Sequence, residues 1–172
     1  MFGMAFILAA VRPSASAQHT GPSLDTASLP LQVLDQWMSM QIRLMSNTQA
    51  NFNGPFIRIY GYSGIVAYAA VRPSIDTRGP YYFPLEALNQ VPPMPVPEKG
   101  KEYYWPASLN AALAYINRSM FPMAGRPLRM AVDSLETDFR TRFRNFLDTG
   151  MLGRSERYGR EVAAKIFIWA ES

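Results

Sequence analysis

The chain has 172 residues, a formal charge of +4, 48% apolar and only 17% charged residues, and no cysteine. The length supports one domain with a sizeable core, and the aromatic content of 13% argues against disorder. Lack of cysteine excludes disulfides, thiolate nucleophiles and zinc–thiolate sites, and the scattered arginines argue against a nucleic-acid partner.

In chain order, Ala5 to Val11 form a short apolar run, and Ala15-Ser16-Ala17 fits a small-residue cleavage pattern before Gln18. This reads as a signal peptide over 1–17, although Met1 to Met4 carry no positive charge. The expectation is export, to the periplasm or the extracellular space. No stretch reaches the roughly 18 apolar residues of a membrane span. Residues 18–29 are polar and turn-rich and read as a flexible leader. The helical domain is expected over 30–172.

Ser28 and Pro30 give a helix-start signal. Leu34, Trp37, Met38, Ile42 and Met45 follow at helical spacing, which predicts a first helix near 30–46. Asn53 and Pro55 open a second helix, and Arg72-Pro73 stops it near Val71. That helix is apolar on nearly every side, which predicts a place in the middle of the bundle. Gly61 and Gly64 lower its propensity and fit a neighbour packed close against bare backbone. Arg58 is the charged residue singled out within it. Burial would demand a partner for its guanidinium, so Arg58 is the candidate structural anchor, with an anion contact as its functional alternative and simple exposure at the helix start as the third possibility.

Residues 73–106 hold eight prolines. The run Pro92-Pro93-Met94-Pro95-Val96-Pro97 predicts polyproline II. Aromatics on both sides predict a strap packed over the bundle, with a short helix at 84–90. Tyr103, Tyr104 and Trp105 are expected to close a core rather than stack on a ligand. A third helix spans about 106–121. In the fourth, Leu128, Val132, Leu135, Phe139, Phe143, Phe146 and Leu147 step by three and four, and Gly150 is a stop signal. Glu136–Arg140 and Asp138–Arg142 are spaced as i,i+4 pairs. A fifth helix from Ser155 aligns Tyr158, Val162, Ile166 and Trp169, with Glu156–Arg160 and Glu161–Lys165 on the solvent side. Nothing alternates with period two. The fold class is all-α: a bundle of about five helices with a proline-rich strap. The sequence stops two residues after the fifth helix, so the bundle is expected to be incomplete.

The usual catalytic sets fail. The one histidine is His19, just past the proposed cleavage site, so neither a Ser–His–Asp arrangement nor a histidine metal site can form in the helical domain. Gly61-x-x-Gly64 lacks the lysine of a phosphate loop. Most carboxylates stand beside arginines and read as solvated ion pairs. The expected catalytic, cofactor and metal residues are therefore none.

Four stretches together resemble a known superfamily. They are Arg58-Ile59-Tyr60-Gly61-Tyr62-Ser63-Gly64-Ile65-Val66-Ala67-Tyr68, then Leu88-Asn89-Gln90-Val91-Pro92-Pro93-Met94-Pro95, then Tyr103-Tyr104-Trp105-Pro106-Ala107-Ser108-Leu109-Asn110-Ala111-Ala112, and finally Ser155 with Tyr158-Gly159-Arg160-Glu161-Val162-Ala163 and Trp169. In this order they resemble the N-terminal helical region of secreted bacterial members of the type 2 phosphatidic acid phosphatase and vanadium-dependent haloperoxidase superfamily. The resemblance covers roughly residues 30–170. It departs at Ala69, where members often carry Glu. It also lacks the catalytic motifs Lys-x6-Arg-Pro, Pro-Ser-Gly-His and Ser-Arg-x5-His. The resemblance implies a parent that hydrolyses phosphate esters or, with bound vanadate, oxidises halide. This chain would be a non-catalytic structural portion, partnered by missing C-terminal catalytic helices and open to homo-oligomerisation. The alternative is a complete, non-catalytic helical binding module of the cell envelope. An enzyme using carboxylates alone is a third reading. An open Tyr158–Trp169 face is expected for the first, and a covered face for the second.

Overall fold

The computed structural model describes residues 24–48, 56–75, 77–80 and 82–172. The proposed signal peptide, His19 and the cap at Asn53 lie outside these residues. The regular structure among the described residues is entirely helical: α1 (Leu24–Asn47), α2 (Phe56–Val71), α3 (Trp105–Met120), α4 (Arg126–Arg144) and α5 (Thr149–Glu171), with short 3-10 turns at Arg72–Ser74 and Leu85–Ala87.

α3 is the centre of the bundle, a place the sequence pattern assigned to α2. Every residue from Ala107 to Ala114 is buried, and α3 packs against all four other helices. Its alanines let neighbouring backbones come close. α2 instead lies at the side. Ile59, Ser63, Val66, Ala69 and Ala70 face inward, while Ile57 is 77% and Tyr60 40% exposed. An all-round apolar composition therefore marked a helix with a second, uncovered apolar face.

α1 starts at Leu24, ahead of Pro30, so the last part of the expected leader is helical. Leu29, Val33, Trp37 and Leu44 are buried at helical spacing, and the anchorage of Leu29 carries the helix through the proline. The expected stripe was rotated: Leu34 and Ile42 are exposed, and Gln41 takes an inward position instead. Gln41 Nε2 donates to the Ser63 hydroxyl of α2, so a polar side chain is buried with a partner.

The other boundary corrections lie between α4 and α5. Gly150 does not end α4, which stops at Arg144. The Asp148 carboxylate accepts from the Met151 amide at 2.9 Å and caps α5 from Thr149. A Cβ on Gly150 would stand 3.0 Å from that carboxylate oxygen, so the glycine leaves room for the cap. The two other glycines of α5 differ sharply. A Cβ on Gly153 meets nothing within 4 Å, whereas one on Gly159 falls 2.1 Å from the Ser108 carbonyl oxygen. α3 and α5 thus touch backbone to backbone at Gly159.

Residues 91–98 form neither helix nor strand and run along the bundle, with Leu88 and Met94 packed on its core. Tyr104 meets Phe143 and Phe146 edge to face at 5.3 and 5.5 Å. Tyr103 stacks on Trp105 at 5.2 Å.

Candidate functional site: an open apolar face on the second helix

Three buried polar links hold the bundle in register. Asn110 of α3 accepts from Trp37 Nε1 of α1 at 2.8 Å and donates to the Glu136 carbonyl of α4 at 3.1 Å. The Ser108 hydroxyl donates to the Ala70 carbonyl at 2.8 Å, tying α3 to α2. The Ser155 hydroxyl accepts from the Tyr104 amide at 2.9 Å, satisfying a donor at the start of α3.

The charged residues form a chain across α3, α4 and α5, and of the i,i+4 pairs read from the sequence Glu156–Arg160 is kept, as its longest link. Glu136 binds Arg118 at 2.6 Å and Arg160 at 2.8 Å. Glu156, only 4% exposed, pairs with Arg140 at 2.9 Å. Its expected partner Arg160 is 3.9 Å away. Glu156 is thus not a solvent-side residue. A buried carboxylate needs an opposite charge, and the arginine of the facing helix lies nearer than the one a turn along. Arg118 is more firmly protonated than usual: burial acts against its charged form, and the hydrogen bonds it donates to Glu136 and Asp133 outweigh that. These contacts join helices. Among the described residues, no group of three or more His, Asp or Glu stands close enough to hold a metal ion.

Arg58, the anchor candidate, is exposed. Its guanidinium donates to the Ala170 carbonyl at 3.2 Å and sits 5.7 Å from the Tyr62 ring centre. Tyr62 in turn meets Trp169 edge to face at 5.6 Å. Arg58 therefore fastens the start of α2 to the last turn of α5, where a cation suits the exposed carbonyl end of the helix. It does so at the surface and not in the core.

The most unusual surface is the outer side of α2. A groove of about 390 Å³ runs between Tyr60, Gly61, Gly64 and Tyr68 on one side and Phe83 and Leu88 on the other. The loop wall is held in place by Tyr68, whose hydroxyl donates to the Phe83 carbonyl at 2.9 Å and accepts from the Phe83 amide at 2.6 Å. Cβ atoms built on Gly61 and Gly64 meet nothing within 4 Å. The expected neighbour of those glycines is absent among the described residues. Ile168 at the end of α5 is also 68% exposed, beside a shallow groove lined by Gln90, Pro92 and Trp169. The α5 face expected to report on a missing half is covered instead: Tyr158, Val162 and Ile166 are buried. Sequence reasoning found the apolar residues of α2 and missed that one side of it is bare. The two exposed glycines three residues apart carried that signal.

No protein-family model, no curated protein and no solved structure matches this chain.

Proposed function

We propose that this chain is the N-terminal structural portion of an exported phosphatase or haloperoxidase-like protein, and that the outer side of α2 seats the helices that carry the chemistry. The parent hydrolyses phosphate esters or, with vanadate bound, oxidises halide with peroxide. The observation that carries the reading is the apolar groove along Tyr60, Gly61 and Gly64, with Ile57 exposed on the same helix, in one of the four stretches that carry the family resemblance. Bare glycine backbone accepts a helix at close range, and a contiguous apolar patch marks an interface. Arg58 belongs to the support, because it fixes the end of α2 that borders this groove. The chemistry of the family calls for Lys, Arg and His in one pocket, and the described residues hold no His.

The covered face of α5 favours a second reading, a self-sufficient helical binding module of the cell envelope. Both readings predict that purified residues 24–172 show no turnover of a phosphomonoester, and no bromide oxidation with vanadate and peroxide. Turnover of either kind contradicts both. In a longer chain bearing the histidine motifs, Gly61→Leu should abolish activity under the first reading and leave it unchanged under the second.

A further inference from the structure

A helix on the surface of a monomer carries one apolar stripe, turned to the core. α1 carries two. Leu29, Val33, Trp37 and Leu44 are buried in the bundle. A second set, Leu31, Leu34, Met38, Ile42 and Met45, runs along another side of the same helix. At about 100° per residue its members fall within roughly 40° of the direction of Met38, and the buried set is centred roughly 120° away. Leu31 is 74%, Leu34 38% and Ile42 52% exposed, and Met38 and Met45 are half-buried. A continuous apolar stripe left in water marks a site of association.

Two further observations say what covers it. The spacing is palindromic: Leu34 and Ile42 lie four residues either side of Met38, and Leu31 and Met45 lie seven. A two-fold axis through Met38 therefore sets Leu31 against Met45 of a second copy, Leu34 against Ile42, and Met38 against itself, the isologous contact of a symmetric dimer. Steps of three and four suit two helices packed knobs into holes. The charges agree. Asp35 and Arg43 are exposed, and neither side chain has an ion-pair partner among the described residues. In the two-fold arrangement Asp35 of one copy shares a flank with Arg43 of the other. The two are out of register by about 3 Å along the axis, which an arginine side chain spans, and the pair forms twice. In a parallel pair each charge would face its own kind.

We propose that this chain associates with a second copy of itself through the outer stripe of α1, the two helices running antiparallel about Met38 and the Asp35–Arg43 pairs closing the flank. No residue of α1 lines the groove on α2, so the inference stands apart from the proposed support role. One helix on its copy makes a small interface, near the lower bound of about 1,200 Å² for stable complexes, and a Kd on the order of 10 µM is expected.

The test is sedimentation velocity of the full chain. The mass should rise from 19.3 kDa towards twice that value between about 1 and 100 µM chain. Ile42→Glu, at an exposed position, should raise the Kd at least about tenfold. Asp35→Arg and Arg43→Asp should each weaken association about three- to tenfold, and the double variant should restore the parent value. Because the chain has no cysteine, introduced ones report direction through a short bis-maleimide. Leu31→Cys mixed with Ser46→Cys should cross-link. Leu31→Cys alone should not, since the two-fold sets the two copies of that position about 21 Å apart along the axis. Gly61→Leu, which acts on the α2 groove, should leave the Kd unchanged. A chain that stays monomeric to about 500 µM, a Kd untouched by Ile42→Glu, a double charge variant no better than the single ones, or cross-linking of Leu31→Cys alone each overturns the proposal. So does loss of the dimer in Gly61→Leu, which would put the second copy on α2.

Discussion

At the scale of the residue, Arg58 and Tyr158 show how burial decides worth. Arg58 makes one surface hydrogen bond and one surface cation–π contact, so Arg58→Met should cost no more than about 1 kcal/mol in urea unfolding. A loss of several kcal/mol would mean that the α2–α5 tie carries the bundle. Tyr158 is more demanding. Burial pushes its hydroxyl from 10.0 up to about 12, with Arg72 opposing and Tyr103 adding to the shift. The neutral form is favoured in the folded state, so its contribution is complete below pH 10. Above pH 10 the unfolded chain loses the proton first, and stability falls by about 2 kcal/mol towards pH 12. Tyr158→Phe should flatten that part of the pH–stability curve relative to the parent, as measured by chemical denaturation. The apolar identity of Tyr158's face was legible in its helical spacing. The burial of Glu156 and Gln41 was not, because a polar residue announces its partner only once the facing helix is in place.

At the scale of the element, the packing of α3 on α5 depends on Gly159. Gly159→Ala forces a Cβ into the Ser108 backbone, which cannot yield as a side chain tip does, and should cost about 3 kcal/mol. Gly153→Ala lies in the same helix against open space and should stabilise by about 0.5–1 kcal/mol. Thermal unfolding of the two variants checks both signs, and equal effects would place the α3–α5 contact elsewhere. Helix number, the α2 stop at Arg72-Pro73 and the start of α3 at Trp105-Pro106 were legible, since proline and periodicity act locally. The start of α5 was misplaced because Gly150 reads as a terminator unless the Asp148 cap beside it is recognised. The centre of the bundle was misplaced because composition cannot tell a helix covered on all sides from one with a bare apolar side. The alanine run of α3 was the better sign, as only small side chains allow four neighbours.

At the scale of the whole molecule, the described helices form a well-packed body whose registers are held by Asn110, Ser108 and the Glu136–Glu156 charge chain. Its inner face is closed. Among the described residues its outer α2 side is apolar, grooved and bare. That groove is what motivates the proposed role of the chain as a support for further helices. No local pattern could reveal the groove, because it is a property of what does not pack on α2. The most direct measurement is the nucleotide sequence of the gene past the codon for Ser172. The account predicts an in-frame Lys-x6-Arg-Pro motif followed by Pro-Ser-Gly-His and Ser-Arg-x5-His. A stop codon at that point, with no such motifs in an adjoining reading frame, would contradict it.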